Sequence, residues 1–198
     1  MPDLPTPTAR RPVHTRRIVF EAFVRDDGLW DIDCSLHDSK AMEISMRERG
    51  VLQPGDPVHL LRVRLTIDDN FTIHDVQTGV GAVPFGECHI AADAPMRKLI
   101  GLTMGPGWRK AIDGAIGGVA GCTHLRELVF NAATAAFQTV PHYRELERNK
   151  ATGSGPNPPG ATGDKPPFYM GQCMTWSFQG PVVQRIAPQF YRGVKKDA

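Results

Sequence analysis

Two side chains with affinity for metals, Cys122 and His124, stand two residues apart in Gly121-Cys122-Thr123-His124-Leu125, at the start of the most regular apolar pattern in the chain. Apolar residues recur at Leu125, Leu128, Val129, Ala132, Ala133, Ala136 and Phe137, the spacing of a helix with one buried face. Gly121 marks where that helix opens, and Thr123 is read as its N-cap. A cysteine here feels the positive end of the helix dipole and the unpaired N–H groups of the first turn, and both favour thiolate over thiol. With Cys122 still in the loop and His124 in the first turn, the pair is expected to converge.

The chemistry such residues support is metal binding. A mononuclear site is expected from Cys88, Cys122 and His124, with Cys173 as a further ligand and Asp56 or His59 as further donors. Zinc suits N/S donors, taking three protein ligands when catalytic and four when structural; iron or an iron–sulfur cluster ranks behind it. In a catalytic form Cys122, His59 and Asp56 are the candidate reacting and acid/base groups. Each residue also has a plain structural reading. Cys88 would be a buried thiol, His124 a capping residue, His59 a satisfied core histidine and Asp56 a turn residue between Gly55 and Pro57. His14, Arg16 and Arg17 precede the first strand as either an anion-binding edge or a solvated one. A cysteine nucleophile with His124 or His59 as base needs no metal.

The elements that must position these groups follow from the patterning. At 198 residues the chain has room for one domain with a core, and 23 basic against 21 acidic residues, interspersed, leave no basic face for nucleic acid. No apolar run is long enough to span a membrane, and the N-terminus lacks a signal-peptide core, so a reducing, cytoplasmic setting is expected. The four cysteines are too dispersed for a CxxC site or a disulfide scaffold.

Residues 1–13, rich in proline, read as a disordered tail, and residues 14–149 as a single α+β domain. Two hairpins are expected: Arg17–Val24 with Leu29–Leu36 around Asp26-Asp27-Gly28, and Val58–Ile67 with Phe71–Thr78 around Asp68-Asp69-Asn70. Trp30, Ile32, Cys34 and Leu36 share one strand face, which makes Cys34 a core thiol; His59 falls in phase with Leu61, Val63, Leu65 and Ile67. Asp38–Gly50 reads as a polar connection. About three helices follow, packed on one face of the antiparallel sheet, the last ending before Pro141. Residues 150–167 form a flexible Pro/Gly loop, and 168–198 a C-terminal extension folding back on the domain.

Several of these segments together resemble a known family. His14-x-Arg16, Arg25-Asp26-Asp27-Gly28-Leu29-Trp30, Asp38-x-Lys40, Gly55-Asp56-x-x-His59, the Cys88 segment, Leu99-Ile100-Gly101-Leu102, the Cys122 segment and Cys173-x-x-Trp176 are similar to a bacterial family known as domain of unknown function 2889. That resemblance implies no particular activity. More distantly, the order Gly55-Asp56, Cys88, Cys122 resembles the IscU/SufU-type iron–sulfur scaffold fold. The scaffold's cysteine beside the Gly-Asp pair is replaced here by Pro54 or Pro57, so one thiolate is missing.

The sequence therefore leads to a small cytoplasmic metal-binding protein, expected to hold zinc and to act on a small organic substrate by hydrolase, lyase or isomerase chemistry. The alternatives are a non-catalytic iron–sulfur or sulfur-trafficking partner, a metal-free cysteine enzyme, and a binding module with structural cysteines. Neither nucleic acid nor membrane is expected as a partner, and the oligomeric state is open.

Overall fold

The computed structural model describes residues 4–153, 165–167 and 169–193. Most of the Pro/Gly loop read at 150–167 lies outside the described residues. The chain divides into two compact units, Met1–Val140 and Pro141–Ala198.

The first unit is an antiparallel sheet followed by helices, the α+β architecture expected. Its strands are β1 (His14–Val24), β2 (Trp30–Lys40), β3 (Ile44–Met46), β4 (Gly50–Leu52), β5 (Pro57–Ile67) and β6 (Ile73–Ala82). The main sheet has the order β1-β2-β5-β6, and β3-β4 form a separate two-stranded ribbon. The helices are α1 (Cys88–Ala91), α2 (Ala94–Arg97), α3 (Trp108–Ile116) and α4 (Thr123–Thr152).

Period-two alternation explains the sheet. On β2, Trp30, Ile32, Cys34 and Leu36 are buried while the residues between them are half-exposed. The register sets Ile32 against Leu65, Cys34 against Val63 and Leu36 against Leu61, all buried on β5. Ile112 and Ile116 of α3, with Leu125, Leu128, Val129, Ala132 and Ala136 of α4, supply the helical part of the core.

Four boundaries differ from those read in the sequence. Strand β2 does not end at Leu36 but runs to Lys40, because Asp38, a charged residue in phase with the apolar face, finds partners there. The polar connection 38–50 contains the β3-β4 ribbon, with Ile44 opposite Leu52. The fourth strand of the main sheet begins at Ile73 because Phe71, at φ 64°, closes the turn by donating its N–H to Asp68 O. It continues through Gly79 and Gly81, and a Cβ at Gly81 would lie 2.8 Å from Leu60 Cδ2, closer than packing allows.

The fourth correction concerns α4, which passes through Pro141 to Thr152. Proline lacks an N–H, so only the carbonyl of Phe137 loses its bond. The following Glu145, Glu147 and Lys150 favour helix, and Lys150 pairs with Glu147 at 2.9 Å.

The second unit has its own small cluster. Met170, Val183 and Ala187 are buried, the last two in and just after α5 (Pro181–Ile186), and Trp176, Phe178, Phe190 and Tyr191 pack around them.

Candidate metal centre

At one end of the sheet the inner face turns from apolar to polar within a single row. The β1–β2 register places Arg16 opposite Asp38, and the β2–β5 register places His59 opposite Asp38 on the other side. The ladder shifts register between Asp38 and Ser39, an irregularity that releases pairing beside the row. Three strands thus bring a guanidinium, a carboxylate and an imidazole into line with no loop involved.

Helix α4 adds the fourth group. Arg126 N–H donates to Cys122 O at 2.9 Å, which makes Cys122, rather than Thr123, the residue that caps the helix. Gly121 permits that approach, since a Cβ there would stand 2.6 Å from Ile116 O. His124 then projects from the first turn against His59, the ring centroids 4.0 Å apart and tilted by 36°. Cys122 Sγ lies 3.8 Å from His124 Nδ1. One turn along, Glu127 accepts from Arg16 Nη1 at 2.8 Å.

Asp38 is the hub. It is 2% exposed. Arg16 donates to both its oxygens, Nε to Oδ1 at 2.8 Å and Nη2 to Oδ2 at 2.9 Å, and His59 Nδ1 lies 3.1 Å from Oδ2. His14 Nε2 is 3.6 Å from Oδ1. Burial works against ionising this carboxyl, but the Arg16 hydrogen bonds and charge, with the nearby imidazoles, hold it below the usual carboxylate range. Burial pushes both imidazoles down as well, towards their neutral form. His59 is lowered by desolvation and by its neighbour His124, against the pull of Asp38, and His124 by desolvation and by Arg16. All three shifts run in the direction a divalent ion favours in its ligands, towards an ionised carboxylate and neutral imidazoles.

One ligand atom from each of Asp38, His59 and His124 lies within 4.8 Å of the others, close enough to hold a single metal ion. Among the described residues this is the group of three or more histidine, cysteine and acidic side chains with that spacing. Of the residues singled out in the sequence, the structure brings His59 and His124 together and sets Cys122 beside them. Cys88 opens the one-turn α1 outside the group, half-buried. Cys173 is exposed in the second unit. Asp56 closes a turn, its Oδ2 accepting from Gln53 N–H at 2.8 Å and its own N–H donating to Gln53 O.

Sequence reasoning misses Asp38 and Glu127 as site residues and takes Arg16 only as part of a basic edge. The signal for Asp38 is its phase: it follows Trp30, Ile32, Cys34 and Leu36 at intervals of two, and a charge on an apolar strand face demands a partner. Arg16 answers that demand, since it is in phase with Ile18, Phe20 and Ala22, the half-buried residues of β1.

Fold and site together define a small α+β domain with a His-His-Asp group between sheet and helix, its carboxylate buried and its two imidazoles half-buried. The chain belongs to the family described as "Protein of unknown function (DUF2889)", whose profile matches residues 14–138 and so spans every residue of the group. No curated protein and no solved structure matches the chain.

Proposed function

We propose that the chain binds a divalent metal ion, zinc by the character of its donors, at His59, His124 and Asp38, and acts with it on a small organic substrate. The observation that carries this reading is the convergence of three ligand atoms within 4.8 Å from three separate elements. His59 Nδ1 lies 3.1 Å from Asp38 Oδ2, a separation that two donors of one ion take at about 2.0–2.2 Å each, so Nδ1 is the ligand atom His59 offers. Arg16 engages two of the roughly four lone-pair sites of the Asp38 carboxylate, so others remain for an ion. Two imidazoles and one carboxylate form a donor set that zinc takes in catalytic sites, with a position left open.

Bound there, the ion would supply Lewis acidity for hydrolase, lyase or isomerase chemistry. The chain's own residues hold it, keep its ligands deprotonated and shield one side from water. Four free cysteines fit a reducing compartment such as a bacterial cytoplasm. An iron–sulfur or sulfur-trafficking role is less well supported, because the group contains no cysteine.

The test is metal content of anaerobically purified protein by mass spectrometry, for wild type and for His59→Ala and His124→Ala. About one equivalent of zinc in wild type, lost in both folded variants, supports the centre. A wild type that folds without metal and takes none up from solution contradicts it.

The 3.8 Å approach of Cys122 to His124 favours a second reading, a thiol nucleophile with an imidazole base. In that case iodoacetamide alkylation of Cys122 slows in His124→Ala and is indifferent to added zinc.

A further inference from the structure

The two edges of the main sheet are treated differently. The β6 edge is occupied: Gly101 N–H donates to Ile73 O, Ile73 N–H donates to Leu102 O, Thr72 bridges Thr103, and the Thr78 hydroxyl bonds Ala92 O. Its ladder is also broken by register shifts. Among the described residues β1 pairs only with β2, over eleven residues without a shift, and it contains no proline. A long, regular, open edge of this kind is a template for another strand.

The strand's composition says which one. No residue of β1 is fully buried; Val19 and Phe23 are each 49% exposed, and Ile18, Phe20 and Ala22 are half-buried. Arg17 and Glu21 lie four apart on the outer face, each free of any ion pair among the described residues, with Val19 midway. Laid antiparallel on a copy of itself about Val19, the strand sets Arg17 against Glu21 of the copy and Glu21 against Arg17. Val19 then meets Val19, Ile18 meets Phe20, and Phe23 meets Thr15.

The backbone phase agrees. Arg25 N–H donates to Leu29 O and Ala41 N–H to Val13 O, so odd-numbered residues of this ladder bond β2 and even-numbered ones turn their N–H and C=O outward. In the two-fold arrangement Ile18 and Phe20 make the backbone bonds. Val19, Arg17 and Glu21 occupy the non-hydrogen-bonded pairs, where side chains come closest.

The geometry points to a symmetric dimer of this chain through β1, continuing the sheet from four strands to eight with paired Arg17–Glu21 contacts. A two-fold operator makes both contacts from one pair of residue types. The inference is independent of the metal centre.

The test uses the full chain in sedimentation equilibrium, with circular dichroism to confirm folding. Wild type is expected as a dimer, and Arg17→Glu and Glu21→Arg are each expected to weaken it by roughly tenfold or more, because each sets like charges opposite one another. Mixing the two variants is expected to give a heterodimer, since one strand then carries two acids and the other two bases. The double variant Arg17→Glu/Glu21→Arg should dimerise as wild type does. A monomeric wild type at about 100 µM would overturn the proposal, the order of magnitude of a weak contact. So would single variants that dimerise unchanged, or folded singles that fail to pair when mixed.

Discussion

Cys34 and Asp38 occupy the same face of one strand, four residues apart, and are buried to the same degree, at 2% exposure each. Their surroundings differ. Cys34 faces apolar neighbours, its thiol approaches Ile32 O at 3.7 Å, and desolvation, helped by the charge of Asp33, pushes that thiol up to about 12. Around Asp38 stand Arg16, His59 and His14, and its carboxyl is held low despite the same burial. Burial alone silences an ionisable group; burial among complementary charges keeps it ionised and fixes its geometry. The middle of β2 is therefore scaffold and its end carries the candidate site.

The contrast can be broken from the site end first. His59→Ala and His124→Ala should each lower zinc affinity by more than about 100-fold, read by calorimetric titration, since losing a ligand exceeds the roughly 10- to 100-fold typical of losing an outer partner. Arg16→Met should follow, costing roughly 3 kcal/mol of stability in urea unfolding, because it strands a buried carboxylate. Adding Asp38→Asn to Arg16→Met should recover much of that loss. An Arg16→Met variant as stable as wild type would show that Asp38 does not depend on its charged partner.

A pH series sharpens the same point. The folded-state pKa of Asp38 is depressed, so its contribution to stability is complete above the unfolded carboxyl value and is lost as pH falls through the folded one. Wild-type stability should decline across that acidic window, and Asp38→Asn should remove this part of the slope. The smallest effect belongs to Cys34. Cys34→Ala should cost about 1 kcal/mol and leave zinc affinity unchanged, and the native Cys34 thiol should resist iodoacetamide at about pH 8, near the ordinary thiol value.

How much of this is legible in the sequence follows from the same two residues. The alternation from Trp30 to Leu36 identifies the strand, its buried face and the inert role of Cys34, because periodicity is a local signal. His59 and His124 are readable as candidates from strand phase and helix position. Asp38 is legible only as a break in pattern, which reads as the end of the strand. Its retention in the strand depends on Arg16 and His59, which reach it through cross-strand register, and register is not written in any one segment. The same holds for Cys88, Cys173 and Asp56. Residue type makes them candidates, but only tertiary placement decides which donors share a point in space. Pro141 misleads for the opposite reason: a strong local stop signal is overridden by a helix that loses a single backbone bond there.

Whether the ion sits on imidazole and carboxylate at the end of β2 is tested most directly by X-ray absorption at the zinc edge of the loaded protein. The expected spectrum has a first shell of N/O donors at about 2.0–2.2 Å with imidazole scattering, and at most one sulfur, from Cys122. A shell dominated by sulfur at about 2.3 Å would move the centre to the cysteines and contradict it.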